Sequence, residues 1–317
     1  MPNSEINSTN LVRWVTVDAE YAGQRIDNFL LTQLKGVPRS RIYSMVRKGE
    51  VRVNKGRVKA HYRMLAGDSI RIPPVRVSER TVPNVPTRLI DELESSILFE
   101  DDRVLILNKP SGIAVHGGSG LSWGVIEAFR ASANKRHYLE LVHRIDRDTS
   151  GCLMLAKRRS ALRALHEQLR ESVVKKRYLA LIKGDWPAAD KRITYPLRKN
   201  MLKSGERLVI VADDGKDAIS LFQPRKRFAK ATLMQVDVIT GRTHQIRVHA
   251  AHHGFPLAGD DKYGDAEFDA ELKQLGLKRL FLHASELEFI HPLTNDKVHI
   301  RSPLPDQLNK LLERLEE

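Results

Sequence analysis

The chain has 317 residues, enough for two domains with a sizeable core. Its 53 Lys and Arg against 39 Asp and Glu leave a formal charge of +14, which suits a polyanionic partner and says nothing about fold. A single cysteine, Cys152, excludes an internal disulfide and a thiolate metal cluster, and its apolar neighbours mark it as buried filler.

Residues 1–15 read as a flexible N-terminus, with Met1 to Asn10 largely polar. No signal-peptide core stands there, and no apolar run approaches the ~20 residues that cross a bilayer. A soluble, cytoplasmic protein is the expectation. Residues 16–75 read as a compact unit. Ile26, Phe29, Leu30 and Leu34 share one helical face, and Ser40 is the expected N-cap of a second helix carrying Ile42, Met45 and Val46. Gly49 stops that helix. Val51 to Asn54 alternates as a short strand, Lys55-Gly56 turns, and Gly67-Asp68 turns again before Ile70 to Ile72. Residues 76–94 hold Pro83 and Pro86 and show no apolar period, so an extended, mobile linker is predicted. In residues 95–317 the pattern predicts strands at Val104–Leu107, Leu139–Ile145, Cys152–Ala156, Arg177–Ile182 and Ala231–Ile239. Helices are expected from Ser160, from Thr243 to His253 and from Pro305 onward. Strands outnumber helices and many are hairpin neighbours. The fold class is therefore α+β, a small unit followed by a mixed, largely antiparallel sheet with flanking helices.

The charge is uneven. From Ala22 to Arg80 there are fourteen basic and four acidic residues, so this stretch carries +10 of the +14. Arg39, Arg41, Arg47, Lys48, Arg52 and Lys55, with Arg57 and Lys59, are candidate phosphate contacts; the alternative is a solvated basic surface. Arg25-Ile26-Asp27 with Leu30, Ser40-Arg41, Val46, Gly49 to Asn54, and Gly67-Asp68 resemble the S4 RNA-binding domain. That resemblance implies two helices on a small sheet and a basic face that meets structured RNA by shape.

The most informative run is His143-Arg144-Ile145-Asp146-Arg147-Asp148-Thr149-Ser150-Gly151. It sets a carboxylate between two arginines after an apolar stretch, where flanking cations favour the ionised form. Such a group serves as nucleophile or general base; the alternative is a solvated charged turn. Three further segments keep it company: Asn108-Lys109-Pro110-Ser111-Gly112 with His116, Lys176-Arg177-Tyr178 with Gly184, and Gly241 to His249. Together, in this order, they resemble the pseudouridine synthases that act on ribosomal RNA.

The resemblance implies an isomerase. The uridine bond from N1 to the sugar breaks, the base turns, and C5 bonds to the same sugar carbon. Nothing is consumed, so no cofactor is implied. The base must first leave its stack, at a cost of a few kcal/mol if it is paired. By motif position Asp146 is the catalytic carboxylate, attacking the sugar, adding to the base or removing a sugar proton. Arg247 matches the arginine that pairs with it, Tyr178 the aromatic that stacks on the flipped base, and Arg144 the residue that fills the vacated gap. The implied partner is large-subunit (23S) ribosomal RNA, with the protein a monomer.

Each residue also has a plainer reading. Tyr178 in an apolar strand suits core packing, Arg247 a helix surface, and Arg144 simple phosphate binding. Asp148 invites a glycosidase pair with Asp146, but a turn does not fix their separation, so it reads as structural. His143, His244 and His249 are expected to hold backbone groups. His249, His252 and His253 come from one short segment with no carboxylate beside them, a poor metal set. Two rival functions stand beside the isomerase: a non-catalytic RNA-binding or assembly factor, and a hydrolase that would release free uracil.

Overall fold

The computed structural model describes residues 11–317 except 35, 76–84, 119–121, 135, 137, 188–190 and 202–206. The chain divides into two compact units, Met1–Pro83 and Asn84–Glu317.

The first unit contains β1 (Arg13–Thr16), α1 (Ile26–Gln33), α2 (Arg39–Lys48), β2 (Arg52–Val53) and β3 (Ser69–Ile72). The strands form an antiparallel sheet in the order β1-β3-β2. Ile26, Phe29, Leu30, Ile42, Met45 and Val46 are buried with Val51, Ile70 and Ile72, as the helical spacing requires. Three local expectations change. The expected flexible N-terminus of residues 1–15 ends in a strand, as Arg13 to Thr16 pairs in register with Ile72 to Ser69. This edge strand is mostly exposed and so carries little apolar alternation; Met1 to Asn10 lies outside the described residues. The N-cap of α2 is Pro38 rather than Ser40, and its carbonyl takes the amides of Arg41 and Ile42 at 3.0 and 3.2 Å. A proline there forfeits no helical bond. The hairpin turn is Asn54-Lys55, both with positive φ (47° and 68°), one residue before the expected Lys55-Gly56. Gly49 ends α2 in the left-handed region, as expected.

The second unit runs α3 (Thr87–Ser95), β4 (Ile97–Glu100), β5 (Val104–Lys109), α4 (Val125–Ala131), β6 (Glu140–Leu141), β7 (Ser150–Ala156), α5 (Arg159–Arg170) and β8 (Lys175–Lys183). It continues through β9 (Lys191–Ile193), β10 (Leu197–Met201), β11 (Arg207–Val211), β12 (Ser220–Arg227), β13 (Ala231–Val238) and α6 (Gln245–His252). It closes with α7 (Ala266–Gln274), β14 (Leu282–Ile290), β15 (Lys297–Arg301) and α8 (Asp306–Arg314). Eight strands follow the order β4-β5-β7-β14-β8-β13-β12-β9, with β15 on β14 and β6 on β7; β10 and β11 form a separate hairpin. Among the described residues only the β7–β14 pairing is parallel, so the sheet is mixed and largely antiparallel.

Part of the expected linker 76–94 is ordered. Helix α3 occupies Thr87–Ser95 and buries Leu93, with Leu89 and Ile90 packed against the core. Pro86 sits at its N-cap, where a missing amide costs nothing, so the proline that read as a breaker is a start signal. Residues 76–84 lie outside the described residues. The strand expected over Leu139–Ile145 shrinks to β6. Beyond it the amide of Met154 on β7 is taken by the His143 imidazole Nε2 at 3.1 Å instead of by a strand carbonyl. A side chain thus ends the ladder, and the chain leaves the sheet just before Asp146. No helix among the described residues is long and apolar enough to cross a membrane.

Candidate active site

Asp146 lies in the loop from β6 to β7, and that loop is clamped from behind. Lys109 Nζ and the Gly112 amide both donate to the Arg147 carbonyl at 2.9 Å, and Ser111 Oγ donates to the Asp148 carbonyl at 2.7 Å. Lys109 is fully buried at the end of β5, and its ammonium also donates to the carbonyls of Pro110 (2.7 Å) and Ile113 (2.8 Å). Burial and then the Arg279 charge push Lys109 down to about 7, against the pull of Asp148 and Asp146. The run Asn108 to Gly112 therefore has a physical role: it fixes the backbone that carries Asp146.

A second clamp comes from β14 and the segment just before it. Arg279 Nη2 donates to Ser150 Oγ at 2.9 Å and to the Asp148 carbonyl at 3.4 Å. Ser150 Oγ lies 2.9 Å from His283 Nδ1, and His283 Nε2 lies 3.2 Å from the Ser302 carbonyl. Burial pushes His283 down to about 4, so the ring is neutral near pH 7. It then accepts from the serine at Nδ1 and donates to the carbonyl from Nε2. Next to Ser150, Gly151 has φ +103°, and a Cβ there would come 2.3 Å from the Ala284 carbonyl oxygen. Only glycine lets β7 approach β14 this closely.

In front of this loop opens a cavity of about 500 Å³ whose walls include Arg144, Asp146, Lys176, Tyr178, Arg242 and Arg247. That volume suits a ligand the size of a nucleotide. The expected trio of Asp146, Tyr178 and Arg247 thus meets at one site, from a loop, from β8 and from α6, with Arg144 exposed at its edge. Among the described residues that line it Asp146 is the one acid, and the cations are Arg144, Arg170, Lys176, Arg242 and Arg247. Tyr178 is buried; its hydroxyl is held protonated by burial first and then by the charge of Asp146. Burial pushes His143 down to about 3, with the Lys176 charge adding to the effect.

Arg247 corrects one expectation. Its guanidinium is held by Asp260, with Nε donating to Oδ2 at 2.7 Å and Nη2 to Oδ1 at 2.6 Å, and Nη2 also reaches Asp261 at 3.1 Å. No ion pair within 4.0 Å joins Arg247 to Asp146 among the described residues. The Arg247 side chain is 3% exposed and that of Asp260 is 0%. A cation so buried requires a bidentate partner inside the protein. Its charge still acts on Asp146, which is among the groups that hold the guanidinium protonated, after Asp260. Tyr263 lies under it at 5.1 Å, and its hydroxyl sits 2.8 Å from His244 Nδ1. Asp260 is the residue that the sequence reading missed. The signal available was the twin acid Asp260-Asp261 in a basic chain.

Asp148 pairs with Arg147 at 3.1 Å and is not among the residues lining the cavity. His143 and His249 hold backbone groups, of Met154 and Tyr195, whereas His244 holds a side chain. His249, His252 and His253 all pack around Tyr195. Cys152 is buried, and its thiol is pushed up to about 12 by burial. In the first unit Arg39, Arg41, Arg47, Lys48, Arg52 and Lys55 are all exposed. They are not equivalent. Arg41 pairs with Glu50 at 3.0 Å and Arg52 bonds to the carbonyls of Gly49 and Lys55, whereas Arg47 lines a groove with Tyr43, Arg57 and Lys59.

Comparison with known proteins agrees with this geometry. Residues 103–252 match the family described as RNA pseudouridylate synthase, and residues 24–70 match the S4 domain. The ribosomal large subunit pseudouridine synthase C of Haemophilus ducreyi is 57% identical over 306 residues, covering 96% of each chain. The protein of that name from Escherichia coli strain K12 is 55% identical over 311 residues, covering 97% of this chain and 98% of its own. The solved structure of human RNA pseudouridylate synthase domain containing 4 shares the fold, with a TM-score of 0.60 at 24% identity, over 72% of this chain and 96% of that one. The chain accordingly belongs to the RNA pseudouridylate synthases, isomerases that act on RNA, and carries an S4 domain ahead of the synthase domain.

Proposed function

We propose that this protein converts specific uridines of large-subunit (23S) ribosomal RNA to pseudouridine, with Asp146 as the catalytic carboxylate. The observation that carries the reading is the convergence of Asp146, Tyr178 and Arg247 on one nucleotide-sized cavity with a single acid in its walls. The target uridine leaves its stack and enters that cavity, and its ring lies on Tyr178. The bond from N1 to the sugar carbon breaks, the base turns, and C5 bonds to that carbon. The C5 hydrogen departs to solvent and N1 gains a proton, so the RNA mass is unchanged and no cofactor is called for. Arg247, aimed by Asp260, supplies a fixed positive charge near Asp146. Arg144 occupies the place of the departed base. The S4 domain anchors the RNA through exposed cations. The relatives named for the large ribosomal subunit support the choice of substrate, and the reading puts a monomer in the cytoplasm.

The test uses ribosomal RNA carrying uridine tritiated at C5. The purified protein is expected to release tritium from large-subunit RNA and not from small-subunit RNA. Mapping pseudouridine in a strain lacking the protein should show the same positions unmodified. Release of free uracil would favour the hydrolase, and RNA binding without tritium release the assembly factor.

A further inference from the structure

Strand β8 opens with three consecutive cations, Lys175, Lys176 and Arg177. Side chains alternate along a strand, so Lys175 and Arg177 share one face, while Lys176 shares the other with Tyr178. The first face is matched by acids. Lys175 meets Glu288 at 3.4 Å, and Arg177 meets Glu286 at 2.8 Å and Asp237 at 3.2 Å. Lys176 has no such match: among the described residues no carboxylate lies within ion-pair distance of its ammonium. It is nonetheless half-buried in the wall of the cavity, beside Gly241, whose Cβ, if it had one, would come 3.9 Å from Nζ. Burial draws this ammonium down to about 8, which leaves it mostly protonated near pH 7.

An ammonium taken out of water without a counter-charge is costly to keep. The nearby groups do not offset it. His143 stays neutral, and among the described residues no ion pair joins Asp146 to Lys176. The other cavity cations differ: Arg144 and Arg170 are exposed to water. Arg247 is answered by Asp260, and Arg242 Nε donates to the Asp217 carbonyl at 2.9 Å. Lys176 is thus a desolvated positive charge awaiting an anion, two residues along the strand from the tyrosine on which the base lies. RNA brings one anion per nucleotide, its phosphodiester.

We propose that Lys176 is a substrate-binding residue that pairs with an RNA phosphodiester flanking the extruded uridine. The inference rests on the isomerase reading for the position of the uridine. It makes Lys176 a point-charge contact to the RNA backbone, blind to base identity, that sets the depth at which the nucleotide seats against Tyr178.

The test is a cycle between protein and RNA. Hairpin RNAs containing a uridine that the wild type modifies are made with one uncharged methylphosphonate linkage, placed in turn at each position around that uridine. Wild type, Lys176→Met and Lys176→Arg are compared in KM, kcat and directly measured Kd. Removing one charged interaction is worth about tenfold in KM. One linkage adjacent to the uridine should cost the wild type about that much when neutralised. Lys176→Met should show the same loss on all-phosphate RNA and then be indifferent to that linkage, with kcat nearly kept; Lys176→Arg should retain the sensitivity. Lys176→Met should fold at least as stably as wild type, because it removes an uncompensated charge; Lys176→Gln serves the same comparison if the methionine is insoluble. Equal sensitivity of wild type and Lys176→Met at every linkage would overturn the proposal. So would a loss confined to kcat, which would put Lys176 in the chemistry. Should the wild type bind the RNA without isomerising it, the Kd cycle still decides the pairing, and the isomerase reading alone fails.

Discussion

The two units treat positive charge in opposite ways. In the S4 unit Arg39, Arg47, Lys48 and Lys55 stand exposed on α2 and the hairpin turn, and Arg41 meets Glu50 at the surface. In the synthase unit Arg247 is 3% exposed against a carboxylate with no exposure, and Lys109 is fully buried among three carbonyls. Exposed cations attract a polyanion whatever its sequence, and salt screens them. Buried cations have fixed directions and cost folding free energy unless each is answered. The net charge therefore speaks of the partner, while the chemistry depends on the few charges that have left water.

Removing one answer on the buried side should produce the largest effect. Asp260→Asn leaves the Arg247 guanidinium without its main counter-charge and is expected to cost roughly 3–5 kcal/mol of stability. Urea unfolding checks this, and an unchanged midpoint would mean that the pair is not what holds Arg247. A variant that stays folded should still lose activity, because the guanidinium is no longer aimed.

The neutral histidine of the second clamp gives a pH signature. His283 sits between Ser150 and the Ser302 carbonyl, with the Arg279 charge nearby, and is pushed down to about 4 from an ordinary 6.5. Between those values the unfolded chain binds the proton and the folded chain does not. Stability is therefore lost as pH falls through that window, by up to roughly 3 kcal/mol from this group. His143, at about 3, acts in the same direction. Unfolding measured at about pH 7 and about pH 5 should show the loss, and His283→Gln should flatten it. A slope unchanged by that substitution would assign the acid sensitivity elsewhere.

On the exposed side, effects on stability should be small and effects on salt dependence clear. Replacing Arg47, Arg57 and Lys59 of the S4 groove by Gln should change stability by less than about 0.5 kcal/mol per site. For every phosphate that such a replacement releases, the slope of log affinity against log salt should become shallower by about 0.7–0.9. An unchanged slope would remove this groove from the RNA interface.

Much of this was legible in the sequence, for identifiable reasons. The β5 and β7 strands are short continuous apolar runs, and they are where the spacing put them. The S4 helices follow from Ile26, Phe29 and Leu30 and from Ile42, Met45 and Val46. What was missed had its signal cancelled. Strand β12 carries Pro224 at an irregularity in its pairing and then three cations, so it reads as loop. Helix α3 hid behind Pro86, and β1 is an exposed edge. Motif position brought Asp146, Tyr178 and Arg247 to one cavity. It did not find Asp260, the acid that grips Arg247, because a partner thirteen residues on, across a turn, is set by tertiary packing rather than by spacing. Lys176 was legible as part of a motif but not as an unanswered charge, since burial and the acids opposite its neighbours exist only in the fold.

The role of Asp146 is decided by Asp146→Asn on large-subunit RNA tritiated at uridine C5, with release and RNA binding measured on the same preparation. The amide keeps the shape and removes the charge. Tritium release should fall by on the order of 10³-fold or more while RNA affinity is largely kept. Turnover close to that of the wild type would take the catalytic role away from Asp146.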